Sequence, residues 1–136
     1  MRALVERAGL SDEYALDSAG THAYHVGRPP DPRSQEAALR RGYDLSALRA
    51  RCVSTSDFSR FDQILAMDRD NLATLQEACP PGLRHKVRLF LDYAVEFEDD
   101  EVPDPYAGGQ DGFEHVLDLV EAAANGLLRA SQRASR

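Results

Sequence analysis

The chain has 136 residues, 43% of them hydrophobic, enough for a single domain whose core needs no disulfide or metal to hold it. Acidic side chains outnumber basic ones 23 to 16, a net charge of −7, which argues against a general nucleic-acid binder that must neutralise phosphates with lysine and arginine. Two cysteines are too few for a disulfide framework, no apolar run reaches the roughly 18 residues of a membrane span, and the N-terminus has no apolar signal core, so a cytoplasmic, reducing setting is expected.

Leu4, Val5 and Ala8 recur at helical spacing before Gly9, so residues 1–9 read as the last turns of an amphipathic helix with no start signal. Residues 14–18 read as a short strand entering the small-residue turn Ala19-Gly20-Thr21, and residues 22–30 as loop. Asp31 as cap and Pro32 at the first helical position open a helix that stops at Gly42. Residues 43–56 show no periodicity, and the arginines at 40, 41, 49 and 51 read as solvated surface. Ser56-Asp57-Phe58 starts a short helical turn. Residues 61–67 form an apolar run of strand length suited to burial on both faces. Asp68 or Asp70 caps a further helix, with Asn71 also assigned to the cap, and Cys79-Pro80-Pro81-Gly82 ends it. Residues 86–91 make another strand, 96–101 an acidic connection, and 112–131 a strongly amphipathic helix with Phe113, Val116, Leu117, Val120, Ala123, Ala124, Leu127 and Leu128 on one face.

Strands alternating with helices over short loops predict an α/β protein, a small doubly wound parallel sheet with helices on both faces. In such sheets the ligand sits outside the carboxyl ends of the strands. Three features fall there: residues 18–21, residues 67–71, and the octet Val102-Pro103-Asp104-Pro105-Tyr106-Ala107-Gly108-Gly109. Proline on both sides of Asp104 restricts the backbone, because each ring locks its own φ and biases the preceding residue towards extended geometry. Asp104 is thereby presented rather than left loose, with Tyr106 as an aromatic wall two residues on. The histidines at 22, 25, 85 and 115 show no metal-ligand spacing.

Taken in order, Asp17-Ser18-Ala19-Gly20-Thr21, Val26-Gly27-Arg28-Pro29-Pro30-Asp31-Pro32-Arg33, Arg49-Ala50-Arg51, Asp57-Phe58 to Phe61-Asp62, Ile64-Leu65-Ala66-Met67-Asp68, Asn71-Leu72 and Asp104-Pro105-Tyr106-Ala107-Gly108 resemble the low-molecular-weight protein tyrosine phosphatases over nearly the whole chain. The resemblance implies a four-stranded parallel sheet, a phosphotyrosine protein or small aryl phosphate as substrate, a phosphocysteine intermediate, and no metal or other cofactor. It makes Asp104 the general acid that protonates the leaving phenolate, Tyr106 and Tyr24 opposite walls for the substrate ring, and Ser18 the residue that supports the phosphate-binding loop. Where many members carry two adjacent tyrosines after Asp-Pro, this chain has Tyr106-Ala107.

The resemblance also places the family's nucleophile in a Cys-x5-Arg loop between the first strand and first helix, and the 136 residues contain none. Cys52 is followed by Arg60 and Cys79 by Arg84, both at the wrong spacing, and both cysteines read as small structural residues. The chain is therefore expected to be N-terminally truncated, short of a central strand and of the thiolate, and inactive alone. Each strand-edge group left unpaired would cost on the order of 1–3 kcal/mol, so a strand from a partner, giving a strand-exchanged oligomer, is the alternative to a longer product. Two other functions fit the same fold: a non-catalytic interaction module, and an arsenate reductase-like protein, which would want a close redox pair of cysteines. No nucleic-acid or membrane partner is expected.

Overall fold

The computed structural model describes residues 1–21, 26–103 and 109–134. Its helices are α1 (Arg2–Arg7), α2 (Pro32–Arg40), α3 (Thr55–Arg60), α4 (Arg69–Ala78) and α5 (Gly109–Ala134), and its strands are β1 (Ile64–Ala66) and β2 (Val87–Leu89). β1 and β2 pair in parallel with Leu65 opposite Arg88, and α4 is the crossover between them, so residues 64–89 form one βαβ unit.

Local chemistry explains where the helices begin and end. Asp31 accepts the Arg33 N–H and Pro32 follows at the first helical position, while Asp68 Oδ1 accepts the Asn71 N–H 2.7 Å away to open α4. Helix α3 opens with a reciprocal capping box between Ser54 and Asp57. α1 and α2 both end on a glycine with positive φ, +72° at Gly9 and +88° at Gly42. The following N–H groups then turn back, Leu10 to the Val5 carbonyl and Tyr43 to the Ala38 carbonyl, a geometry any residue with a Cβ would strain to reach.

Apolar clusters cover both faces of the two strands. On one, Phe58, Ala66, Leu75, Cys79, Val87 and Leu89 pack with Ile64 and Leu72 between the strands, α3 and α4. On the other, Leu65 meets Phe90, Leu91, Leu119, Ala123 and Leu127, so α5 lies across the sheet with α1 against it. Burial of a side chain such as Phe58 or Leu119, both essentially inaccessible, is worth about 1.5–3 kcal/mol. α5 approaches so closely at Gly126 that a Cβ there would sit 1.9 Å from the Tyr93 carbonyl oxygen.

Some sequence expectations shift. The expected strand at 14–18 joins no ladder among the described residues. The chain is extended at Tyr14 and makes a single parallel bridge further on, from Gly20 to Cys52. Local propensity can extend a backbone, but only a partner makes it a strand. The strand expected at 86–91 ends at Leu89, where a 3-10 turn, Phe90–Tyr93, swings Leu91 into the α5 interface. β1 is only half-buried at Ile64 and Leu65, less enclosed than its apolar run implied. Among the arginines read as solvated surface, Arg41 instead reaches from the end of α2 to three acids of α5. It lies 2.6 Å from Glu114, 3.0 Å from Asp118 and 2.6 Å from Glu121, and these bonds, Glu121's first, push its pKa above an already high value.

Candidate active site

The carboxyl end of β1 gathers the three segments singled out in the sequence. The first is the turn after residue 18. Gly20 donates to the Arg51 carbonyl at 2.8 Å and accepts from the Val53 N–H at 2.9 Å, so the turn is fastened to the segment at 50–53. That segment also binds the far side of the loop, through Gly27 N–H to the Ala50 carbonyl at 2.7 Å and Ala50 N–H to the Arg28 carbonyl at 2.8 Å. Both approaches to residues 22–25 are thus held by one piece of backbone. Tyr24 itself lies outside the described residues.

The second segment is the start of α4. Asn71, in the first turn of the helix, donates from Nδ2 to Thr21 Oγ1 at 3.0 Å and so ties α4 to the turn at 18–21. The third is the approach to the proline-flanked octet. Val102 donates its N–H to the Met67 carbonyl at 2.7 Å, and the Glu101 carboxylate accepts the Arg69 N–H at 2.8 Å. Asp104 and Tyr106 lie outside the described residues, and α5 resumes the chain at Gly109. Ser18 is exposed on the first segment, where its N–H donates to Asp17 Oδ1 at 2.8 Å.

Behind the first turn sits a charge network that sequence patterning passes over. Arg51 holds both oxygens of Asp57, at 3.0 and 3.2 Å. Its Nε also lies 3.2 Å from Asp17 Oδ2, an ion pair without the alignment of a hydrogen bond. Asp57 is 5% exposed, and the Arg51 bonds, then the Ser54 N–H, hold its carboxyl below the usual carboxylate range despite burial. The network joins Asp17, adjacent to Ser18, to the first turn of α3. The Ser-x-x-Asp pattern at 54–57 marks the capping box, but nothing local says that Asp57 also receives an arginine.

The two thiols are separate. Cys79 is buried at the end of α4, and Cys52 is half-buried in the bridge to Gly20; both are free. Among the described residues no cluster of His, Cys, Asp and Glu is arranged to hold a metal ion, and no helix is long and apolar enough to cross a membrane. What the strand ends offer is a rim built from backbone and short polar side chains, braced from behind by Arg51 and bordered by both approaches to the segments at 22–25 and 104–108.

Known proteins are similar to this chain in sequence and in fold. The family model for low molecular weight phosphotyrosine protein phosphatase matches residues 1–136. A Synechocystis protein is 50% identical over 129 residues, covering 94% of this chain and 82% of that relative. The low molecular weight protein-tyrosine-phosphatase of Streptomyces coelicolor is 46% identical over 132 residues, covering 95% of this chain and 80% of its own length. The crystal structure of a protein tyrosine phosphatase from Entamoeba histolytica with Hepes in the active site aligns with a TM-score of 0.94 at 36% identity, over 99% of this chain and 86% of that one.

Proposed function

Because this chain belongs to the low-molecular-weight protein tyrosine phosphatase family, we propose that residues 1–136 are the greater part of one domain that hydrolyses aryl phosphate monoesters, phosphotyrosine in proteins first among them, through a phosphocysteine. Asp104 is the general acid. A phenolate leaves poorly at neutral pH unless a proton arrives as the P–O bond breaks, and a carboxyl beside a phosphate dianion keeps its proton more readily. Tyr24 and Tyr106 flank the substrate ring, which favours aryl over alkyl esters. Ser18 supports the loop that holds the phosphate.

The thiolate is not among these residues. No cysteine here is followed by arginine at the required spacing, and the two present stand in the Gly20 bridge and at the end of α4. We assign the nucleophile to a Cys-x5-Arg loop outside the 136 residues, which makes this chain inactive by itself. A strand supplied by a second copy is the other way to complete the sheet.

One observation carries the reading. Thr21, Asn71, Met67 and Val102, from three separate segments, are joined by hydrogen bonds at the carboxyl end of β1, where a doubly wound sheet holds its ligand. The test is turnover of para-nitrophenyl phosphate by the 136-residue chain and by the same chain extended through the codons upstream of Met1. The extended protein should turn over and lose most of its rate on Asp104→Asn, while the shorter chain should show none. Equal turnover by both would refute the placement of the nucleophile.

A further inference from the structure

The amino ends of the two strands carry cationic groups that the fold leaves unused. Val87 and Leu89 point into the cluster shared with α3 and α4, so strand alternation turns Arg88 to the other face, where Leu65 packs against α5. There Arg88 lines a cleft of about 310 Å³ with His85 and Lys86 from the entrance to β2, Asp62 and Gln63 from the entrance to β1, and Tyr93 from the turn after β2. The last turns of α5 close one side.

These groups differ in what the fold asks of them. Lys86 Nζ donates to the Phe58 and Phe61 carbonyls at 2.9 and 3.0 Å and so closes the end of α3; an ammonium has three N–H groups, which leaves one over. Gln63 Oε1 accepts the Tyr93 hydroxyl at 3.0 Å, which fixes the ring as a wall and leaves the Gln63 amide N–H groups to donate. Among the described residues neither His85 nor Arg88 has a hydrogen bond or an ion pair. Cations near the end of a helix commonly serve its dipole. That account covers Lys86 but not Arg88, which sits mid-strand opposite Leu65.

Charge and donor type together define what fits. Lys86 and Arg88 against Asp62 leave one surplus positive charge, and His85 adds a second when protonated, in a chain whose net charge is −7. A guanidinium fork and an ammonium suit the oxygens of a phosphate dianion. Asp62 acts the other way, since an ionised carboxylate only accepts: it repels an oxyanion and takes a hydroxyl. A carboxylate beside cations therefore favours a ligand with phosphate at one end and hydroxyls at the other, and the volume is at the small end for such sites. We propose that this cleft binds a small hydroxylated phosphate monoester, a sugar phosphate, with its phosphate on Arg88, Lys86 and His85 and its hydroxyls on Asp62 and Gln63. The site needs neither Asp104 nor the thiolate, so it stands apart from the phosphatase reading.

The test follows backbone amide shifts by NMR while ribose 5-phosphate, inorganic phosphate, ribose or sodium chloride is added to the 136-residue chain, and again to the extended protein. Residue-resolved shifts separate this cleft from any phosphate held at a nucleophile loop. Ribose 5-phosphate should move the amides at 62–63 and 85–88 saturably in both proteins, inorganic phosphate should do so more weakly, and ribose not at all. Arg88→Gln should weaken the ester on the order of tenfold, the loss of a charged hydrogen bond, and leave the urea midpoint in place because Arg88 is exposed and holds no partner. Asp62→Asn should shrink the preference for the ester over inorganic phosphate. Shifts that never saturate and that chloride reproduces at equal ionic strength would reduce the cleft to a screened surface and overturn the proposal. So would an affinity for ribose 5-phosphate untouched by Arg88→Gln, or equal affinities for the ester and inorganic phosphate.

Discussion

Asn71 Nδ2 and Thr21 Oγ1, fifty residues apart in sequence, lie 3.0 Å apart and form the cross-link between the first segment of the rim and the helix that follows β1. A hydrogen bond between neutral side chains contributes a net 0.5–1.5 kcal/mol or so. Asn71→Ala and Thr21→Val should therefore each lower stability by about 1 kcal/mol, seen as an earlier urea midpoint at unchanged m. The double variant should cost clearly less than the sum, since each change removes the same bond. Strict additivity would mean that the two side chains are not coupled.

Asp57 should make the stability of this protein acid-sensitive. The Arg51 bonds depress its folded pKa, so the native state keeps a carboxylate where the unfolded chain takes up a proton. That contribution is complete above the unfolded aspartate pKa of about 3.9 and is lost as pH falls through the lower folded value. Asp57→Asn should cost about 1–3 kcal/mol at neutral pH, the range for a broken buried bond whose partner is itself partly exposed. The gap to the parent chain should close as pH drops below 4 in denaturation curves taken across the acid limb. A gap of constant size would show that the charge on Asp57 is irrelevant.

Gly126→Ala should destabilise although alanine is the better helix former by about 1 kcal/mol. The new methyl would meet the Tyr93 carbonyl oxygen at 1.9 Å, and that oxygen belongs to backbone that cannot swing away. Overpacking of this kind costs about 1–3 kcal/mol, enough to reverse the propensity gain. A calorimetric Tm at or above that of the parent would mean that α5 can slide off the 90–93 turn.

Arg41→Lys should be nearly as harmful as Arg41→Ala. The fork of the guanidinium reaches Glu114, Asp118 and Glu121 together, and an ammonium cannot copy that geometry. Each variant should lose about 1–2 kcal/mol, reduced in molar salt because the acids are partly exposed. Full rescue by lysine would mean that charge alone holds α2 to α5.

Much of the fold could be read locally. Asp31, Pro32, Gly42 and Asp68 act within one turn of where they stand, and the helix ends they mark are those observed. The amphipathic stripe of α5 named Ala123, Ala124, Leu127 and Leu128, and all four are buried. Residues 14–18 misled because an apolar, extended stretch says nothing about whether a neighbour offers its edge. Arg41 and Arg51 misled for a related reason: a run of arginines looks the same whether its partners are water or distant carboxylates.

What the chain's order of residues determined by itself was the family, the alternation of elements, and the proline-flanked aspartate after an acidic run, because these depend on residue identity and short-range sterics. The tertiary structure alone decided which polar groups meet at the end of β1: Thr21 with Asn71, Glu101 with the Arg69 N–H, Val102 with Met67. Hydrogen bonds and ion pairs act over a few ångströms of space, and only the packing of α4 and α5 on the two faces of the sheet brings residues 20, 70 and 100 within that reach.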